Sequence, residues 1–272
     1  MTGARVVTGL LFGAVLGGGA LAASPQSDAT PMCREPTGSE AYEDLNPGYD
    51  AGYQFARIRY TPTSRGGFYG FRRRGGREPM WHHDYPRADG HFLKILDEVT
   101  LMHPRSDGCN VFTADDPRLG QYPIAYIVEV GSWNPTDAEV QGLRSYLLKG
   151  GFLMVDDFRG ERALGNFGYQ MGRVLPGSSL IELDQSHEIF DSFFRIDPYE
   201  VLPPPIYGSG LQIKYYAIFE DNDPSKRIMV VVNYDNDIGE YWEWSDTGFF
   251  PIDLTNDGYK LGVNYIVYAM TH

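Results

Sequence analysis

The chain has 272 residues, 42% of them hydrophobic and 14% aromatic, which leaves room for one sizeable core. A formal charge of −13 argues against nucleic acid or anionic lipid as a partner, because an acidic surface repels both. The balance is uneven: residues 57–77 hold seven arginines and no acid, whereas residues 220–257 hold ten acids against Lys226 and Arg227. Such a molecule orients itself against a partner that carries both signs of charge.

The first residues carry one positive charge at Arg5, an apolar run over 6–21 and the small-x-small site Ala20-Leu21-Ala22. This reads as a secretory signal over 1–22, which if retained would act as an anchor. Export to the periplasm or beyond follows, with two cysteines, Cys33 and Cys109, available for one optional bridge. Residues 23–52 mix Pro, Ser, Gly and acids without an apolar period and read as an arm or linker. Residues 53–272 then form a single domain.

"YQFARIRY" alternates in the manner of a first strand, with Arg57 and Arg59 at its exit. The Gly/Arg-rich loop "TPTSRGGFYGFRRRGGREPM" follows. Beyond it, Ala88, Phe92, Ile95, Leu96 and Val99 make one helical stripe. "YPIAYIVEV" is a continuous apolar run of the kind a doubly covered parallel strand needs. Thr136 and Glu139 form a capping box for a helix that Gly150 or Gly151 closes, and "FLMVDD" is the next buried strand. Strands at "LQIKYYAIFE" and "RIMVVVNYD" and a last helix in "DGYKLGVNYIVYAMTH" complete a three-layer α/β fold with a largely parallel sheet.

Asp156 and Asp157 close an apolar strand, and buried carboxylates are untenable in mid-strand, so the strand is expected to end there, at the mouth of the sheet. Glu129 ends the neighbouring strand in the same way. These carboxylates, with Asp84, form a candidate site for a polar ligand or divalent metal; Arg57, Arg59 and Arg159 are the candidate counter-charges, and His82, His83 and His187 serve a softer ion. The competing reading is an internal ion-pair network with Asp84 as a helix N-cap. Near the end of the chain, "NYDNDIGEYWEWSD" offers Asp237 and Glu240, and Trp242 for stacking on a ligand or for pinning the loop to the core. No G-x-S-x-G elbow and no phosphate-binding loop is present, which points away from nucleophilic Ser or Cys chemistry.

The stretches "FARIRY", "WHHDYPRAD", "YPIAYIVEVG", "LRSYLLKGGFLMVDDFRG", "HEIFDSFF", "NDIGEYWEW" and "GVNYIVYAMTH" together resemble the bacterial domain of unknown function 4159 family, over residues 53–272. The resemblance implies a class I glutamine amidotransferase-like, flavodoxin-like fold, but no activity. Amidotransferase-like relatives that hydrolyse glutamine use a Cys at a strand-to-helix elbow, and "YIVEVGSWNP" has neither Cys nor Ser at that turn. Many members carry Gly-His-Gly where this chain has Glu129-Val130-Gly131. By motif position the resemblance marks Asp84, Asp156, Asp157, His187, Asp237, Glu240 and Trp242 as site residues.

Two functions are therefore expected. The first is an exported, non-catalytic accessory protein that docks on a protein partner at the envelope, with Arg57, Arg59, Asp84, Glu129, Asp237, Glu240 and Trp242 as binding residues. The alternative is a metal-assisted hydrolase of a glycan or peptide, with Asp156, Asp157 and His187 as ligands or base.

Overall fold

Short apolar runs with β-branched residues need both faces covered, and here they become the middle of a seven-stranded sheet. The structure is a computed structural model that describes residues 35–37, 39–50, 52–62, 79–105 and 109–272. Residues 1–22, read from sequence as a secretory signal, lie outside the described residues, as do Cys33 and most of the Gly/Arg-rich loop. Those described belong to one compact unit, Pro31–His272. No helix among them is long and apolar enough to cross a membrane.

In chain order the elements are β1 (Ala56–Ile58), α1 (Arg87–Val99), β2 (Asn110–Phe112), β3 (Ile124–Val128), α2 (Asp137–Leu148), β4 (Phe152–Phe158), α3 (Gly160–Val174), β5 (Ile181–Glu182), β6 (Lys214–Phe219), β7 (Ile228–Tyr234), α4 (Ile238–Glu243) and α5 (Ile252–Thr271). Sheet order is β2-β1-β3-β4-β7-β6-β5. The five strands from β2 to β7 pair in parallel, while β6 and β5 add antiparallel at one edge. The fold is thus mixed α/β with a mostly parallel sheet, and its helices pack in two sets: α1 with α4 and α5, and α2 with α3.

Local signals explain several boundaries. Thr136 Oγ1 accepts from the Glu139 amide at 3.2 Å and Glu139 Oε2 from the Thr136 amide at 2.7 Å, so the capping box opens α2. Gly150, at φ 108°, turns the chain out of that helix, as a left-handed closing residue requires. The last helix begins earlier than its apolar stripe, because Pro251 precedes the first turn and Asp253 lies within it, both favourable at an N-terminus. Cys109 is disulfide-bonded.

Arg57 does not face a ligand. It is fully buried on β1, where Nε and Nη2 donate to Asp89 of α1 at 3.0 and 2.5 Å, and Nη1 donates to the carbonyls of Trp81 and His83. Its guanidinium also lies 4.9 Å from the centre of the Tyr126 ring. One side chain thereby fixes both α1 and the segment in front of it. Replacing it strands Asp89 as a buried, unpaired charge. Arg57→Met should cost about 3–5 kcal/mol in denaturant unfolding, and Arg57→Met with Asp89→Leu should recover much of the loss; equal stability of the single variant and the parent would refute the pairing.

Candidate functional site

Strand order reverses between β1 and β3: the chain leaves β1 for β2 on one side and resumes with β3 on the other. In open parallel sheets the loops at the carboxyl ends diverge there and leave a crevice. Four segments meet at this end. The stretch before α1 brings His83 and Asp84, the turn after β3 brings Glu129, the end of β4 brings Asp156 and Asp157, and the start of α4 brings Asp237 and Glu240.

The β4 strand does not end at its aspartates, contrary to the expectation from sequence. It continues to Phe158 with both aspartates wholly buried, and pairing with β7 is interrupted by a register shift between Val155 and Phe158. At that bulge Asp157 adopts φ 54°, and the Glu129 amide lies close to the carbonyls of both aspartates. The bulge lets adjacent carboxylates sit in different polar settings.

Asp156 is a structural anchor. Its Oδ1 accepts from Asn233 Nδ2 at 3.0 Å; its Oδ2 accepts from Tyr126 OH, the Ile238 amide and the Gly239 amide, each at 3.0 Å. Burial raises its pKa against the pull of the Asn233 bond. With both oxygens engaged by donors, Asp156 is poorly placed to take a metal.

Asp157 belongs to a second, more open layer. Its Oδ2 accepts from His83 Nδ1 at 2.5 Å and its Oδ1 from Arg159 Nη2 at 2.6 Å. The same Nη2 reaches Asp237 Oδ2 at 3.1 Å, which also accepts from Tyr207 OH at 2.6 Å. Arg159 lies 3.4 Å from the centre of the Tyr207 ring, so this tyrosine and arginine cover one flank of the cluster. Asp237 caps α4 through the Glu240 amide, at 2.9 Å, and thereby points Glu240 toward His83, whose Nε2 is 3.9 Å from Glu240 Oε2.

Asp84 completes the layer. Its backbone is left-handed at φ 63°, its side chain is out of solvent, and neither carboxylate oxygen has a hydrogen-bond partner among the described residues. Among the described residues it pairs with His83, whose Nδ1 is 3.4 Å from Oδ1. It does not cap α1, whose N-cap is Pro86. Two groups of side chains bring ligand-type atoms within 4.8 Å of one another: His83, Asp84, Asp237 and Glu240, and His83, Glu129 and Asp157.

The electrostatics divide the acids. Burial opposes ionisation of Asp157, but the His83 and Arg159 charges outweigh it and hold the carboxyl at about 2. Asp84 and Asp237 are pushed well above the carboxylate range, by burial first, with Asp157 adding repulsion in both cases. Burial also raises Glu240, against the charge of His83. For His83, burial works against the charged ring, yet Asp84 and Asp157 raise its pKa well above 6.5.

Of the residues singled out from sequence, Asp84, Glu129, Asp157, Asp237 and Glu240 converge here. Others do not. Arg59 pairs with Glu43 at 2.5 Å, away from the cluster, and Arg159 is the arginine that joins it. His187 lies near Phe219 and Tyr268, at the end of β7 remote from the aspartates, where its Nδ1 accepts from the Ile189 amide; it cannot act with Asp157. Trp242 is fully buried, stacks on Phe92 at 4.3 Å and donates to the Gly258 carbonyl, so it packs the core rather than a ligand. Tyr207 is a member of the cluster that its sequence hardly marks: the one signal is "PPPIYGSG", a stiff Pro run before two glycines.

Stability should carry the signature of this cluster. Asp84, Asp237 and His83 have raised folded pKa values, so each contributes stability that is full below its unfolded value, 3.8 or 6.5, and is lost as pH rises through the folded one. Asp157 works in the opposite direction, but only in acid: its contribution is present above 3.8 and lost as pH falls through about 2. In chelator, the Tm should therefore fall as pH rises from about 5 to about 8.5. Asp84→Asn should flatten that slope, and an unchanged slope would contradict the assignment.

Residues 54–270 match the family model described as a domain of unknown function, DUF4159. No curated protein matches the chain. The match takes in the sheet, the crevice and every side chain of the cluster, and the chain belongs to the DUF4159 family.

Proposed function

We propose that this domain is a hydrolase acting on a polar substrate such as a glycan or peptide, with the carboxylate cluster at the strand ends as its reacting centre. The observation that carries the reading is the convergence of Asp84, Glu129 and Asp157, three acidic residues held in left-handed backbone, around His83 and Glu240 in one crevice. Non-glycine residues at positive φ cost energy and persist where the surroundings over-determine them, which favours a role beyond the fold. Several carboxylates in such a crevice supply proton acceptors for an attacking water, while Arg159 supplies a fixed positive charge for an oxyanion.

The finer fold class is part of the same proposal. Ignoring the antiparallel edge, the order β2-β1-β3-β4-β7 follows the flavodoxin-like pattern 2-1-3-4-5, which supports a flavodoxin-like domain of the class I glutamine amidotransferase type. A second reading, the exported accessory protein docking on an envelope assembly, is favoured by Tyr199, Leu202 and Ile206, exposed on the segment that also carries Tyr207.

The intact protein should turn over at least one member of a panel of chromogenic glycosides, esters and peptides. Asp157→Asn and Glu240→Gln should lower kcat/KM by at least about 100-fold with native circular dichroism. Rates that the two variants leave unchanged, or no turnover across the panel, would remove the hydrolase reading in favour of docking.

A further inference from the structure

Asp84 poses a problem that the protein alone does not solve. Its carboxyl group is shut off from water, has no hydrogen-bond donor among the described residues and faces four other acids, Asp157, Asp237, Glu240 and Glu243. Neutralising it by protonation would still leave a buried polar group with no partner, whereas buried polar groups are ordinarily hydrogen-bonded and buried charges paired or bound to a metal. The space around it is kept by Gly239: a Cβ there would lie 2.7 Å from Asp84 Oδ2 and 2.7 Å from Tyr126 OH. The position is thus shaped to admit this carboxylate against the first turn of α4.

The surrounding groups are oriented as metal ligands are. Asp157 Oδ2 accepts a hydrogen bond from His83 Nδ1, which fixes the ring and leaves Nε2 on the Glu240 side. Glu240 does not reach back to the Asp237 amide as a capping-box residue would, because that amide donates to Asn236 Oδ1 at 2.8 Å. Asp237 Oδ1 accepts from the Glu240 amide, and a carboxylate oxygen has a second lone pair to offer. Ligand atoms of His83, Asp84, Asp237 and Glu240 lie within 4.8 Å of one another, and opposite ligands of a divalent ion at roughly 2.0–2.4 Å stand about 4–5 Å apart.

We propose that His83, Asp84, Asp237 and Glu240 bind one divalent cation of the kind that accepts an imidazole nitrogen together with carboxylate oxygens, Mn2+ or Zn2+ in preference to Ca2+ or Mg2+. The donor set decides the class: magnesium and calcium favour all-oxygen shells, whereas an imidazole suits the transition ions. Asp157 acts as a positioning residue through His83, and Asp156 holds the helix that carries two of the ligands. The inference rests on the reading of this cluster as the functional centre, but its readout is binding and needs no turnover.

The test is calorimetric titration of the full-length, chelator-stripped protein with Mn2+, Zn2+, Mg2+ and Ca2+ in turn, with elemental analysis of the dialysed complex. One equivalent of Mn2+ or Zn2+ should bind, raising the Tm, and Asp84→Asn and Glu240→Gln should each weaken it at least about 10-fold. Asp137→Asn, at a fully exposed side chain paired with Arg173, should bind as the parent does. Because removing a buried charge can alter folding, each variant is compared only where its circular dichroism is native, and Glu240→Gln stands in if Asp84→Asn is not. Absence of stoichiometric metal, preference for Mg2+ or Ca2+, or parental affinity in both variants would overturn the site. Metal bound without hydrolysis would leave the site standing and remove the hydrolase; hydrolysis in chelator would do the reverse.

Discussion

The carboxylate of Asp156 is the constraint on which the rest of the site depends. It gathers a tyrosine from β3, an asparagine from β7 and two amides from the first turn of α4. Asn233 in turn accepts from Tyr265 of α5 at 2.7 Å, so one charge ties three strands to two helices. A helix N-terminus is a natural seat for an anion, because its first amides lack partners within the helix and the dipole favours negative charge. Once α4 is pinned there, its cap, Asp237, and its third residue, Glu240, have no choice but to overhang the end of β4.

Arg57 performs the matching task on the other side. Its bonds to Asp89 and to the carbonyls of Trp81 and His83 fix the segment that leads into α1, and that segment delivers His83 and Asp84 to the same crevice. Two buried ionic anchors, one in each wall, thus position groups that are themselves poorly satisfied. Burial of a lone pair of charges is seldom a net gain in stability. Here each anchor has its hydrogen bonds filled, and the dissatisfaction is concentrated at Asp84.

Much of this was legible in the residues. Continuous apolar runs marked β3, β4 and β7, and the Thr136 and Glu139 pair marked the start of α2, because those signals are local. The α3 helix was not legible: Gly160, Gly165, Gly168 and Gly172 dilute the helical signal, and its buried stripe includes Gln170. Six-residue α4 is too short to show a period. Asp156 and Asp157 were recognised as a pair, but their division of labour depends on a bulge that no residue type announces. Arg57 and His187 lie elsewhere than expected, and Trp242 takes the core-pinning role of the two its sequence allows, for the same reason: residue type says what a side chain can do, and only tertiary placement says whether it meets a ligand or the core.

The division among the acids has a physical cause that reaches back to two cations. His83 and Arg159 both contact Asp157, and their fields hold it ionised at neutral pH. A fixed negative charge at Asp157 then raises the cost of ionising Asp84 and Asp237, which already lack water. The cluster is therefore tuned as a unit: stabilising one carboxylate makes its neighbours stronger bases. An incoming positive charge would meet acids already held in place by Asp156 and Arg57 and would relieve the repulsion that Asp157 imposes. Because the bonds of Asp156 and Arg57 are made to groups other than the outer carboxylates, the backbone that carries those acids is anchored independently of them.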